Sequence, residues 1–512
     1  MTRICSAKAN AWCEQPVEAA GLLIDADNYF RAFYEAAKGA KRSILLSGWQ
    51  FDSDVALLRG ADAEAEELPV TLKKFLNALC ERTPGLKINI LAWDFHMVFA
   101  LEREWMQNLV FEWSTHENLN FKFDSSHIDK GCHHQKFVVI DGTLSFLGGL
   151  DLCDHRWDTR AHVDEQPLRV SRGEPHKPFH DVQTYFTGRE AARSLEELFT
   201  CRWEVAGGEP LELPRDVPPR SGKYEPRGAV CLPTKNVALS RTDPRGSPTT
   251  PKGAEPKACH EVVDLYVQAI GCAEESIYVE TQYFSSEAIA KAMVDRLQEK
   301  GRSALEVVLV LNMRAETLKE QIAVGLAQAK VLGDIRKAAE GTAHQLGIYY
   351  TVPAAPEGVE PERATYIHSK VMIVDDRFLN VGSANLTNRS CSVDTELNAT
   401  FECENKEDEL SSCISQIRLN LLAEHLGAPE RPVSFAEGRV ASLQLHATKL
   451  NGRLRLHPSP TERERAVIDV INPQALPFDP HAVEDDDDDR SIFASGIGLL
   501  WRKLVSGRDD AK

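Results

Sequence analysis

Residues 133–149 read HHQKFVVIDGTLSFLGG, and residues 367–383 read IHSKVMIVDDRFLNVGS. Aligned, they place His134 on His368, Lys136 on Lys370, Asp141 on Asp375 and Gly148 on Gly382, all at an offset of 234. FVVI and VMIV are unbroken apolar runs of strand length, as expected of strands covered on both faces. A short polar turn follows, Asp141-Gly142 in one copy and Asp375-Asp376 in the other, before the chain returns as TLSFLGG or RFLNVGS. Each copy is therefore expected to be a β-hairpin.

The correspondence extends upstream. A helical pattern over Asn28 to Lys38 leads into SILLSGWQF at 43–51, then a helix-like stretch, then KINILAW at 87–93. In the second half EVVDLYVQAI at 261–270 leads into SIYVETQYF at 276–284, a helical stretch and EVVLVLNM at 306–313. Ser43 and Ser276 differ by 233 positions, so the offset is nearly constant and a duplication is indicated. The expected fold class is α/β, with two pseudo-symmetric halves, each a mixed β-sheet flanked by helices, and a site at their interface.

The expected organisation is an N-terminal segment at 1–20, a first domain at 21–206, a Pro/Gly-rich surface connection at 207–257, a second domain at 258–428 and a C-terminal extension at 429–512. Within the extension, VASLQLHA at 440–447 reads as strand-like. Ile492, Phe493, Ile497, Leu500, Trp501 and Leu504 fall mostly on one helical stripe, with Arg502 and Lys503 beside Trp501. That stripe suits either a helix lying on a lipid surface or one docked on the parent domain.

A chain of 512 residues is long enough for two cores, and 43% hydrophobic with 27% charged residues is ordinary soluble usage. The formal charge is −18, of which the run Glu484 to Asp489 supplies six, so bulk attraction to nucleic acid is disfavoured. Twelve cysteines without a CxxC pair indicate reduced thiols rather than a redox pair or zinc site. No uncharged apolar span reaches about 18 residues, and no signal-peptide pattern opens the chain. A cytoplasmic or peripheral-membrane location is expected, with signal-independent export left open.

Residues two apart on a strand share a face, so His134 with Lys136, and His368 with Lys370, each set an imidazole beside a fixed positive charge. A phosphate diester needs this combination: charge neutralisation for its nonbridging oxygens, a nucleophile for phosphorus and a proton for the departing alkoxide. Asp141 and Asp375 have the opposite parity and are expected to brace turns. His133 faces away from His134 and is read as a packing or surface histidine, and His155, His162, His176 and His180 as solvated loop residues. No metal or other cofactor is called for.

The motif in both halves, His-x-Lys, four residues, Asp, six residues and Gly-Gly or Gly-Ser, resembles that of the phospholipase D superfamily. GGLDLCDHRWDTRAH after the first motif, PFHDVQ at 178–183 and IYVETQYF at 277–284 are similar to stretches of true phospholipases D, and the likeness covers about residues 20–425. The resemblance implies a covalent phosphohistidine without a metal. His134 would be the nucleophile, His368 the general acid and base, and Lys136 and Lys370 the phosphoryl-binding cations. Asp141 and Asp375 join the catalytic set as motif members. Glu396 in DTELNA would orient His368, and Asp181 in FHDVQ would orient His134. Asn385 would donate to a phosphoryl oxygen, whereas the first half departs from the pattern with Asp151.

The reaction so implied is hydrolysis of a glycerophospholipid to phosphatidate and free headgroup, with transfer to an alcohol as a side reaction. A cardiolipin synthase-type phosphatidyltransferase, a phosphodiesterase acting on nucleic acid and a catalytically silent lipid-binding member are the alternatives. The partner expected is a phospholipid surface, and with both motifs in one chain the site needs no dimer.

Overall fold

The computed structural model describes residues 2–7, 9–94, 116–128, 131–213, 224–246, 257–314, 324–354, 361, 363–431, 433–449, 452–460 and 479. The acidic run and the apolar stripe at 492–504 lie outside these residues. The described chain builds two large mixed sheets. One runs in the order Ala229–Leu232, Ala19–Ile24, Val182–Thr187, Leu144–Gly148, Phe137–Ile140, Ser43–Gly48, Lys87–Trp93, Leu119–Asp124. The other runs Cys13–Pro16, Asn236–Asp243, Glu396–Glu402, Phe378–Gly382, Val371–Val374, Ser276–Thr281, Glu306–Leu311, Gln345–Thr351, with Leu454–Leu456 beyond.

From Ala229–Leu232 to Leu119–Asp124 and from Cys13–Pro16 to Gln345–Thr351, the sheets match strand for strand. Pairing is antiparallel as far as Ser43–Gly48 or Ser276–Thr281, and parallel for the next two contacts in both.

Phe137–Ile140 and Val371–Val374 are wholly buried because each sheet is covered on both faces. Helix Asp25–Lys38 shows how the outer face is covered. Ala26, Tyr29, Phe30, Phe33 and Ala37 recur at helical spacing and are buried, while Asp27 and Lys38 suit the positive and negative ends of the helix dipole. On the inner side, a continuous core joins Leu147, Val182 and Phe186 of the first sheet to Leu379, Val381 and Leu397 of the second. The two sheets therefore meet through the hairpin strands and the strands next to them.

Both hairpins turn through two residues of positive φ, Asp141 (50°) with Gly142 (60°) and Asp375 (53°) with Asp376 (52°). That is the turn whose twist matches paired strands. The motif aspartates then do what their parity indicated. Asp141 accepts the backbone N–H groups of Lys41, Arg42 and Ser43, and Asp375 those of Glu274, Glu275 and Ser276. Each carboxylate ties its hairpin turn to the entry of the neighbouring antiparallel strand, Ser43–Gly48 or Ser276–Thr281.

Three readings of the sequence are corrected. The stretch 207–257 is not all surface connection: it contains Ala229–Leu232 and Asn236–Asp243, and the latter is buried from Val237 onward between Cys13–Pro16 and Glu396–Glu402. Flanking prolines and arginines hid short apolar runs that only a partner sheet completes. Val440–Ala447 is a helix, not a strand, because Val440, Leu443 and Ala447 form the buried stripe while Leu445, which suggested alternation, is exposed. Finally, the strands read to Phe51 and Phe284 end at Gly48 and Thr281.

Candidate active site

The His-x-Lys residues lie in extended chain immediately before Phe137–Ile140 and Val371–Val374, and each is docked against the other half. His133 bridges to Thr395, and the His134 N–H donates to the Thr395 carbonyl at 3.0 Å. Phe179–His180 pairs in parallel with Tyr366–Ile367, and the His368 N–H donates to the His180 carbonyl at 2.8 Å. The backbone thus crosses the interface twice in the same manner, next to each histidine.

This crossing decides the carboxylate partners, and it reverses the expected assignment. His134 Nδ1 donates to Glu396, 2.9 Å from Oε2, and His368 Nδ1 donates to Asp181 Oδ2 at 2.6 Å. Glu396 holds the first histidine and Asp181 the second, because the strand following each motif packs against the opposite motif. The Ser383 hydroxyl also donates to Glu396. At the equivalent Gly149 a Cβ would stand 2.3 Å from Asp181 Oδ1, so only glycine leaves room for that carboxylate.

With Nδ1 engaged, the Nε2 of neither histidine hydrogen-bonds to a described residue, and the two side chains keep 16% and 9% of their exposure. Both rings are fixed in one tautomer with the outer nitrogen available. Burial, with Lys370, Arg156, Lys136 and His134 close by, holds His368 well below the ordinary imidazole range. Burial also lowers Lys370 to about 7 against the pull of Asp181, with Lys136 adding to the fall. Asp181 is pushed up to about 6 by burial, against the pull of Lys370. These mutual effects place His134, Lys136, His368 and Lys370 in a single electrostatic site.

The lysines are held differently. Lys136 Nζ donates to the His134 carbonyl at 3.0 Å and lies 3.5 Å from Asp151, whose other oxygen accepts the Trp49 N–H. Lys370 Nζ donates to the His368 carbonyl and, at 3.3 Å, to Gln282 Oε1, which also accepts from Asn385 Nδ2. Asp151 therefore faces a lysine, not phosphate, and partly offsets its charge. On the second side Lys370 meets the neutral amide of Gln282 in place of a carboxylate. Asn385 stands at the site but points its amide at Gln282. Gln282 was missed by sequence reasoning, although it lies within the IYVETQYF stretch.

Asp141 and Asp375 sit at the far ends of the motif strands, bonded to backbone, and do not join this group. His133 packs as expected: it is buried between Asp124, 3.2 Å away, and the Thr395 hydroxyl, 3.1 Å away. The loop readings of His162, His176 and His180 are corrected, since all three are buried. His162 and His180 lie among carboxylates from both halves, which no local pattern could reveal.

A profile of the family described as "Cardiolipin synthase, PLD-like domain" matches residues 266–417, which include the second hairpin. Phospholipase D alpha 2 of Oryza sativa subsp. japonica is 25% identical over 481 aligned residues, covering 70% of this chain and 58% of that protein. Phospholipase D A of Dictyostelium discoideum is 26% identical over 472 residues, covering 79% of this chain and 35% of its own length. The crystal structure of a Haemophilus influenzae phosphatidylserine synthase superposes with a TM-score of 0.47 at 14% identity, covering 88% of this chain and 91% of that one. The chain spans 58–60% of the length of the two rice relatives. Likeness to phospholipases D along most of the chain, and to the PLD-like domain over the second hairpin, agrees with what the two hairpins build.

Proposed function

We propose that this protein is a phospholipase D, hydrolysing glycerophospholipids to phosphatidate and free headgroup through a phosphohistidine. The observation that carries the reading is the crossed pair of imidazoles, each held at Nδ1 by the other half's carboxylate beside its own lysine. His134, the more exposed ring, attacks phosphorus through Nε2 as the bond from phosphorus to the headgroup oxygen breaks. His368, which burial keeps neutral in the free protein, takes up a proton beside the bound anionic phosphodiester and gives it from Nε2 to the departing alkoxide. Neutral His368 then takes a proton from water, the water oxygen attacks phosphorus, the phosphorus–nitrogen bond breaks, and phosphatidate leaves with His134 restored. Lys136 and Lys370 balance the charge on the phosphoryl oxygens in both steps.

An alcohol entering in place of water gives a phosphatidyl alcohol. A lipid alcohol there would make the enzyme a cardiolipin synthase-type phosphatidyltransferase, a second reading favoured by the description of the family matching residues 266–417. The substrate places the enzyme on a phospholipid surface as a peripheral protein; no helix among the described residues is long and apolar enough to cross a membrane. A net charge of −18 argues against nucleic acid as the substrate.

The test is mass spectrometry of products after incubation with mixed vesicles containing phosphatidylglycerol and a little ethanol. Phosphatidate and phosphatidylethanol are expected from the intact protein, with His134→Ala slower by about 10⁴-fold or more. Predominant cardiolipin would select the transferase reading. Absence of lipid turnover, with cleavage of nucleic acid instead, would overturn both.

A further inference from the structure

Close to the carboxylate that holds His368 lies a second constellation, wholly buried and used by no step above. It consists of Asp25, His162 and His180 from the first half and Glu424 from the second. We propose that these four residues bind a divalent transition-metal ion, zinc being the one that best suits the donor set, and that the ion staples the two halves together. The inference is independent of the substrate and of the reaction.

One ligand atom from each residue can be chosen so that all four lie within 4.8 Å of one another. His180 Nδ1 is 2.6 Å from Glu424 Oε1 and 3.1 Å from Asp25 Oδ1, and His162 Nε2 is 3.0 Å from Glu424 Oε1 and 3.4 Å from Asp25 Oδ2. Bonds of about 2.0–2.1 Å to a tetrahedral ion set donor atoms roughly 3.3 Å apart, so small side-chain movements suffice. Asp25 Oδ2 is the atom that points to a ligand: it is fully buried and accepts no hydrogen bond. Two imidazole nitrogens with two carboxylates favour zinc or its transition-metal neighbours over calcium or magnesium.

The surroundings are those that ligating histidines require. A metal-bound imidazole is normally fixed by a carboxylate on its other nitrogen. His162 Nδ1 donates to Asp158 at 2.8 Å and His180 Nε2 donates to Glu280 at 2.9 Å. Those carboxylates are themselves held, Asp158 by Arg169 and the Phe179 N–H, and Glu280 by His425 and the Tyr278 hydroxyl. Arg160 occupies the other oxygen of Glu424 at 2.6 Å, leaving one oxygen for the ion. Asp25, Asp158, Glu280 and Glu424 outnumber by two the guanidiniums that contact them, Arg160 and Arg169, a difference met either by one divalent cation with both rings neutral or by a second proton on each ring. The Asp181 N–H donates to Asp25 Oδ1 at 3.2 Å, so the ion would also stiffen the backbone that carries the partner of His368.

The experiment is elemental analysis of the full chain, purified without chelator or metal-affinity resin, combined with thermal unfolding. One zinc or related ion per chain is expected. A strong chelator should lower Tm and added zinc restore it, and X-ray absorption should show only nitrogen and oxygen neighbours at about 2.0–2.1 Å. Asp25→Asn and His162→Gln should each lose most of the metal. Because a buried substitution can unfold the protein, the unaltered chain decides: no bound metal, and a Tm unmoved by chelator or by zinc, would overturn the proposal. Full occupancy in a folded His162→Gln protein would overturn it equally.

Discussion

At the scale of single residues, the crossed carboxylates separate two substitutions that look alike in sequence. Glu396→Gln disturbs His134, the proposed attacking ring, whereas Asp181→Asn disturbs His368, the proposed proton carrier. Both should slow turnover of ordinary phospholipid by about 10²–10⁴-fold, the range for misorienting a catalytic histidine. A phosphatidyl ester of p-nitrophenol, whose leaving group needs no proton, should restore phosphohistidine formation in Asp181→Asn but not in Glu396→Gln. Equal rescue of the two would contradict the pairing.

The same residues set a pH profile. Asp181 must be ionised to hold the Nδ1–H of His368, so activity should fall as pH drops through about 6. In the proposed mechanism Lys370 must be charged to meet the phosphoryl oxygens, so activity should fall again as pH rises through about 7. The kcat/KM of the free enzyme is expected to be bell-shaped between those limbs. Lys370→Arg, if active, should lose the alkaline limb because a guanidinium stays charged. A flat profile across both limbs would refute this assignment.

At the scale of elements, the hairpin turns carry their own prediction. Asp141 and Asp375 each accept three backbone N–H groups and stand at the opposite end of the motif strand from the histidines. Asp141→Ala or Asp375→Ala should cost about 1–3 kcal/mol of stability, with the larger loss at the more buried Asp375. Turnover per folded molecule should change little. Denaturant unfolding measured beside kcat checks this, and a large fall in kcat at unchanged stability would return the aspartates to the chemistry.

At the scale of the whole molecule, the halves exchange edge strands. Cys13–Pro16, which precedes the first sheet, pairs with Asn236–Asp243 of the second, while Ala229–Leu232, which precedes the second sheet, pairs with Ala19–Ile24 of the first. A shared core and two backbone crossings at the site add to this coupling. Calorimetry should therefore show one cooperative transition, and removing residues 2–17 should lower Tm and activity together although none of them belongs to the site. Two resolved transitions would show that the halves unfold independently.

The sequence by itself determined the duplication, the hairpins, the positions of the His-x-Lys pairs and the turn-bracing role of the aspartates. All of these are local: apolar runs, residue parity and turn chemistry act over a few positions and survive any packing of one half on the other. Tertiary structure alone decided which carboxylate serves which histidine, that Gln282 receives Lys370, and that His162 and His180 are buried with Asp25 and Glu424. It likewise decided that a Pro-rich stretch supplies strands to both sheets. Each of these depends on contacts between residues distant in sequence, whose partners are fixed only when two sheets close on each other.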